Sequence, residues 1–549
     1  MNPGCMALLA LLTVAVYAGP ALSAFNSLRL GTPGDSTEFQ YFLGWNVHAL
    51  AHFQNPFFTH SVFAPDGLHL ATVASIPSVS ILVAPVTLLI GSTAAYNTAL
   101  LLGIASSAAA MYLLAREMFS NAVAALLVGA LMVVSPYEAE HGLGHLNLVW
   151  IGGLPFVAYL TVRLFKGTVS RRWYVLGTAV AVAFTIGAST ELFVTGSLFG
   201  AIALLIAHLL SSDADRVALR ACLLPLALGV LVGLLLASPA IWAALTTGLP
   251  SEGLNGPGAF SSDLTNLVLP AGAAPGSSYV ASISRLWIGN QAENTAYLPV
   301  TLLALVVIAV VCARGHRVAR GILIFIGTAV ILSFGPSLTI AGHRVLVWPG
   351  IILAALPVTR FALPGRFSAY VFMGAVLLVA YAWSSGRIRR AWVLGLSVGT
   401  FVLLYPSFGG LGVPVDTRPA AYVSSGQLAR EHGGESILVL PPGQYGPGLI
   451  WETDTNFAFR MPTGPCCGAT FPPQYRDPTA AALYSLPHGF DWARALPPYL
   501  TRVGVTTVLV DPSAHDWLQI MRRAFPGKGR VVGGVWVFDL TSAPGRPLS

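Results

Sequence analysis

The feature that most constrains this chain is the recurrence of uncharged apolar runs long enough to build a helix, such as 175–186, 223–236 and 302–311. A run of that kind satisfies its own backbone hydrogen bonds in hydrocarbon only as a helix, whereas a membrane barrel needs apolar and polar residues to alternate along each strand. Of 549 residues, 55% are hydrophobic and 9% charged, so the pattern extends over most of the chain. The expected fold is an α-helical polytopic membrane protein. Spans begin near Cys5, Tyr96, Ala122, Asn147, Trp173, Leu192, Val217, Ala296, Val318, Phe367 and Ala391, about eleven by the bilayer-thickness argument. Two shorter stretches, 78–90 and 345–356, each contain a proline and suit interfacial or re-entrant helices covered by protein; if they span, the total reaches about thirteen.

The formal charge of +7 is topological in origin. With the N-terminus inside, the basic residues Arg116, Arg163, Lys166, Arg171, Arg172, Arg216, Arg220, Arg314, Arg317, Arg320, Arg387, Arg389 and Arg390 fall on one side, as the positive-inside rule requires, and no nucleic-acid partner is implied. Segments 25–97, 135–146, 238–295 and everything after about 405 then face outside. Residues 1–24 end in ALSA, as a cleaved signal would, but lack a basic start and read as an uncleaved first span. The five cysteines show neither a CxxC nor a zinc spacing, and Cys466 and Cys467 read as ordinary thiols.

The chain divides at about residue 408. Residues 1–408 form the membrane domain, with 25–97 as its first extracytoplasmic loop, and 409–549 have the composition of a small α/β soluble domain, extracytoplasmic at a cytoplasmic membrane. Strands are expected at 436–440, 506–510 and 530–538, and helices at 420–431 and 492–502. The loop 238–295, rich in Gly, Pro, Ser and Asn, reads as irregular backbone.

Four constellations carry candidate chemistry. Asp35, Glu38 and Gln40 lie in the first outer loop; Asp35 and Glu38 share a helix face, although Asp35 or Ser36 with Glu38 also fits a helix cap. Glu138, Glu140, His141 and His145 cluster between two spans. The i, i+4 histidines have a metal-ligand spacing, but Gly142 and Gly144 weaken the helix it needs, so a divalent metal is compatible but not indicated and no cofactor is expected. Glu191 stands alone amid apolar sequence, where an acid is costly unless it meets water or a partner. Arg360 and Arg366 break the charge asymmetry, which a phosphate ligand or ion pairing with outer carboxylates would explain. Nothing resembles a P-loop, a dinucleotide fingerprint, a nucleophile elbow or HExxH.

One span, an outer loop opening GDSTEFQ, a second outer loop bearing acids, further spans and an outer soluble domain resemble, in that order, the GT-C superfamily of membrane glycosyltransferases. GHLNL, LSFGP and RFALPGRF look like segments of bacterial proteins of this type. The resemblance implies a polyprenyl-phosphate-linked sugar donor and an inverting transfer to an extracytoplasmic acceptor. Asp35 stands at the position of the family's first-loop acid, as base, although Ser36 follows where a second acid is common; Glu138 or Glu140 would match the second-loop acid, and Arg360 or Arg366 would meet the lipid phosphate. Two other readings remain open: a lipid or solute transporter or flippase using intramembrane acids, and a non-catalytic membrane scaffold with a glycan-binding outer domain.

Overall fold

The computed structural model describes residues 3–248, 255–256, 258–313, 315–356, 358–407, 415–465 and 472–541. Cys466, Cys467 and the 408/409 boundary lie outside them. The chain divides into two compact units, one of Met1–Leu22, Ala99–Pro239 and Asn255–Val413, the other of Ser23–Thr98, Ala240–Leu254 and Pro414–Ser549.

The protein is a mostly helical, multi-pass membrane protein. Five helices among the described residues are long and apolar enough to cross a membrane: Ser92–Phe119, Ala122–His141, Thr190–Leu210, Asp213–Leu236 and Pro364–Ser384. Pro3–Tyr17, Gly153–Phe165, Val300–Cys312 and Arg390–Leu404 are apolar but shorter. Arg171–Ala188 and Arg317–Ser333 begin on arginine. Helices therefore follow the apolar runs, with turns trimming the starts expected near Asn147 and Ala296 to Gly153 and Val300.

In the first unit, Ser368–Ser384 is buried along almost its whole length, among Arg317–Ser333, Ala122–Val133 and Val300–Cys312. Gly374 permits this contact, because a Cβ there would lie 2.5 Å from Cγ1 of Ile326. Hydroxyls that would otherwise be stranded pair between helices: Tyr370 with Thr195 at 2.7 Å, and Thr301 with Thr400 at 2.8 Å. Asp263, buried, organises the long loop. Its carboxylate accepts from the backbone N–H groups of Thr265, Ala341 and Gly342 at 2.8 to 2.9 Å, so it grips the turn of a hairpin formed by Ser337–Ile340 and His343–Val347.

Three expectations change. Stretch 345–356 is not a covered helix: Ala341 and Gly342, at φ 48° and 81°, form a tight reversal, Pro349 follows the strand, and Val345, Leu346, Val347, Ile351 and Ile352 are exposed. Stretch 78–90 is a helix, Pro77–Leu89, but it leaves Ile81, Leu82, Leu88 and Leu89 exposed. The loop expected to be irregular opens with the helix Ser238–Thr247, since SPAIWAALTT lacks glycine until its end.

In the second unit, helix Asp35–Ala51 packs on Pro77–Leu89 and Gly448–Asp454. Leu28–Arg29 pairs antiparallel with Val415–Asp416, so the first loop and the C-terminal segment share a strand pair. Ser436–Leu440 runs parallel to Val505–Val510, which pairs with Val535–Asp539 and that in turn with Gly529–Val532. The run expected as one strand at 530–538 is a hairpin, because Gly533 and Gly534 adopt φ of 50° and 86°. Helices Trp492–Arg502 and His515–Ala524 cover the sheet through Leu496, Leu500, Trp517 and Met521.

At Gly342 a Cβ would lie 2.0 Å from the Leu286 carbonyl oxygen, on backbone with positive φ, whereas helical Gly395 faces open space. Gly342→Ala is expected to lower the apparent melting temperature in detergent, and Gly395→Ala to leave it unchanged or raise it. Equal effects from the two substitutions would contradict this account of the hairpin.

Candidate active site

In the first unit five titratable side chains from distant parts of the sequence converge. Ser189 caps the helix Thr190–Leu210 and places Glu191 in its first turn. Asn290 caps the short turn Gln291–Glu293. Arg366 sits on the turn that leads into Ser368–Ser384 and donates to both acids, bonding Glu293 Oε2 through Nε at 2.8 Å, Glu293 Oε1 through Nη2, and Glu191 Oε2 through Nη1. The other Glu191 oxygen accepts from Leu363 N at 3.1 Å. Burial alone would raise the Glu293 carboxyl, but the Arg366 guanidinium outweighs it and, with His141 and His145, holds the group at about 2.

His141 and His145 face each other through their Nδ1 atoms at 3.0 Å. The i, i+4 spacing survives although the helix Pro136–His141 stops before the second histidine. Together with Glu293 they offer one ligand atom each, all within 4.8 Å of one another, and His141 Nε2 is buried without a hydrogen bond to any described residue. Two imidazoles and a carboxylate suit zinc or a similar ion. As arranged the set does not fit one, because Arg366 already takes both Glu293 oxygens.

The other second-loop acids have different surroundings. Glu140 Oε1 accepts from Ala273 N at 2.5 Å, against Gly272, where a Cβ would overlap the carboxylate. Glu138 is wholly buried, and among the described residues neither of its oxygens finds a hydrogen-bond partner. Arg360 is exposed, with its guanidinium over the Phe361 ring at 4.7 Å, so the two arginines that look equivalent in sequence differ in exposure.

In the second unit Asp35 is the first residue of its helix and half-buried. The position before it is Gly34 at φ 113°, with no side-chain cap, so the capping role considered for Asp35 and Ser36 is not the one they play. Gln444, from the C-terminal segment, donates to Asp35 Oδ1 at 3.3 Å, and the exposed Tyr445 ring packs beside Gly34. Glu38, also half-buried, follows one turn along. Gln40 is instead a buried tie: it donates to Ser92 and Thr93 at 2.9 and 3.0 Å and accepts from Arg29 at 3.0 Å. The loop's histidines do not gather at Asp35; His48 and His52 stack on each other at 4.2 Å, about 20 Å along the helix from it by the rise per residue.

Sequence reasoning missed Glu293, Gln444 and Arg29. For Glu293 the sequence held only an indirect signal, the charge asymmetry of Arg366, which called for outer carboxylates without saying which.

The fold expected from the order of spans and loops, that of membrane glycosyltransferases, is borne out by solved structures of similar fold. The structure is similar to the arabinofuranosyltransferase AftD from Mycobacteria, at 16% identity and a TM-score of 0.61 over 99% of this chain and 40% of that one. It is also similar to the Archaeoglobus fulgidus oligosaccharyltransferase in complex with Zn and sulfate (13%, 0.55, 95% and 70%) and to ArnT from Cupriavidus metallidurans bound to undecaprenyl phosphate (12%, 0.52, 100% and 100%). At these identities the likeness is one of fold. A family model described as a domain of unknown function, DUF6311, matches residues 6–404, and the chain belongs to that family. No curated protein matches it.

A carboxyl depressed in the folded state contributes stability that is complete above its ordinary value of 4.5 and is lost as pH falls to about 2. Glu293→Gln is therefore expected to lower the apparent melting temperature at pH 7, and the gap from the unsubstituted protein should close between pH 4.5 and 2. Arg366→Ala, which strands two carboxylates, should cost more, about 3–5 kcal/mol. A pH-independent gap for Glu293→Gln would show that the carboxylate is not held as described.

Proposed function

We propose that this protein is a glycosyltransferase that moves a sugar from a polyprenyl-phosphate carrier to an extracytoplasmic acceptor, at the cytoplasmic membrane, with inversion at the anomeric carbon. The observation that carries the reading is the half-buried carboxylate of Asp35, at the uncapped start of a helix, beside a side chain from the C-terminal segment. In the proposed step Asp35 takes the proton of the acceptor hydroxyl, the hydroxyl oxygen bonds to the anomeric carbon, and the carbon–oxygen bond to phosphate breaks, so that polyprenyl phosphate leaves as an anion. ArnT was solved with undecaprenyl phosphate, a leaving group of this class. Arg360, which is exposed, is the arginine proposed to meet the lipid phosphate. Gln444 would orient the base.

The test is release of polyprenyl phosphate from a polyprenyl-phosphate sugar by the purified full chain. Asp35→Asn, which keeps the shape and removes the base, is expected to lower turnover roughly 10²- to 10⁴-fold at unchanged melting temperature. Arg360→Ala should chiefly raise the KM for the donor. Full turnover by Asp35→Asn would overturn its assignment as base, and no release by any form of the protein, with or without acceptor, would overturn the transferase reading.

A further inference from the structure

A second amphipathic site lies in the first unit, independent of the proposed reaction. Helices Arg171–Ala188 and Asp213–Leu236 pack closely because Gly229 and Gly233 replace side chains at the seam: a Cβ at either would lie 2.7 Å from Thr178 or Val182. Beside this seam runs an open groove of about 410 Å³ lined by Val175, Leu176 and Val232, with Arg171 and Arg172 as its polar members. Val180, Leu235 and Leu236 are exposed on the same two helices, adding apolar surface to them.

Three basic neighbours are paired, while Arg220 on the facing helix is exposed like the two arginines. Lys166 pairs with Glu117, Arg163 bonds Tyr159 and Thr168, and Arg216 pairs with Asp213. Arg171 and Arg172 have no hydrogen bond or ion pair to any described residue, and both are exposed. Ser170 makes no side-chain cap, so the N–H groups of the first turn also lack a side-chain acceptor. Trp173, 66% exposed, follows directly, a residue type that favours the headgroup level of a bilayer.

We infer that this groove binds an anionic glycerophospholipid, with its phosphate between Arg171 and Arg172 and an acyl chain along Val175, Leu176 and Val232. Guanidinium groups bind phosphate oxygens in pairs and stay charged at any relevant pH. Two uncompensated cations at one end of an apolar trough complement a headgroup of net negative charge. A zwitterionic lipid brings its own cation to that place and gains less.

The test uses the full chain, purified in detergent, stripped of lipid and exposed to equal amounts of phosphatidylglycerol and phosphatidylcholine, with bound lipid counted by native mass spectrometry. The unsubstituted protein is expected to retain phosphatidylglycerol at least fivefold over phosphatidylcholine. Arg171→Ala with Arg172→Ala should abolish that preference. Val232→Trp, which fills the trough and leaves the charge, should lower retention of both lipids, and it tests the site even if the double variant fails to fold. Equal retention of the two lipids, or phosphatidylglycerol retention unchanged in Val232→Trp or in a folded double variant, would overturn the inference. Displacement of phosphatidylglycerol by equimolar undecaprenyl phosphate would also overturn it, in favour of a carrier site.

Discussion

A guanidinium buried among helices made for hydrocarbon cannot be left to itself, and Arg366 meets that constraint with two carboxylates. Taking a cation of this size out of water costs several kcal/mol even after relaxation, and removing one member of such a pair leaves an uncompensated charge. Three segments far apart in sequence therefore have to be present together: the start of Thr190–Leu210, the turn Gln291–Glu293 and the turn before Ser368–Ser384. Arginine suits this position better than lysine, because its planar fork meets both oxygens of Glu293 while a third nitrogen reaches Glu191. With two acids and one base the group carries a formal charge of −1 before His141 and His145 are counted. That excess disfavours a further anion at Arg366, and a phosphate has to look elsewhere for its cation.

Four of the five members of this group were legible in the sequence, while Glu293 and the pairing were not. Glu191 stood out as an acid in an apolar run, Arg366 as a cation on the wrong side, and His141 with His145 by their spacing. Periodicity reports which face of a helix is apolar, and it carries no record of which distant side chain meets an isolated charge. Glu293 lies in a loop of 238–295 whose acids are Glu252, Asp263 and Glu293, and nothing local separates the three. The structure gives Asp263 the hairpin turn and Glu293 the arginine.

The second unit repeats the lesson in backbone terms. Its strands at 436–440 and 505–510 and its helix Trp492–Arg502 announce themselves through β-branched runs and a polar and apolar alternation at helical period. The pairing of Leu28–Arg29 with Val415–Asp416 involves two residues on each side and nearly the whole chain between them, too short for any pattern to register. A boundary drawn where composition changes, at 408, assigns residues 25–97 to the membrane domain. Backbone hydrogen bonding instead joins Leu28 and Arg29 to the C-terminal segment, and Gln444 reaches Asp35 from the same segment.

Among the carboxylates of that unit, burial separates the enclosed from the reachable. Glu452 is wholly buried, and burial pushes its carboxyl well above the usual range. The Ser61 hydroxyl pulls the other way without offsetting it. Asp454 is exposed but stands near the end of a helix, where negative charge is unfavourable. Asp35 occupies the opposite position, at a helix start where the backbone N–H groups favour negative charge, half in contact with solvent, and its amide neighbour Gln444 donates and does not compete for a proton. A base for a hydroxyl must be reachable by its substrate, and Asp35 keeps part of its surface in solvent.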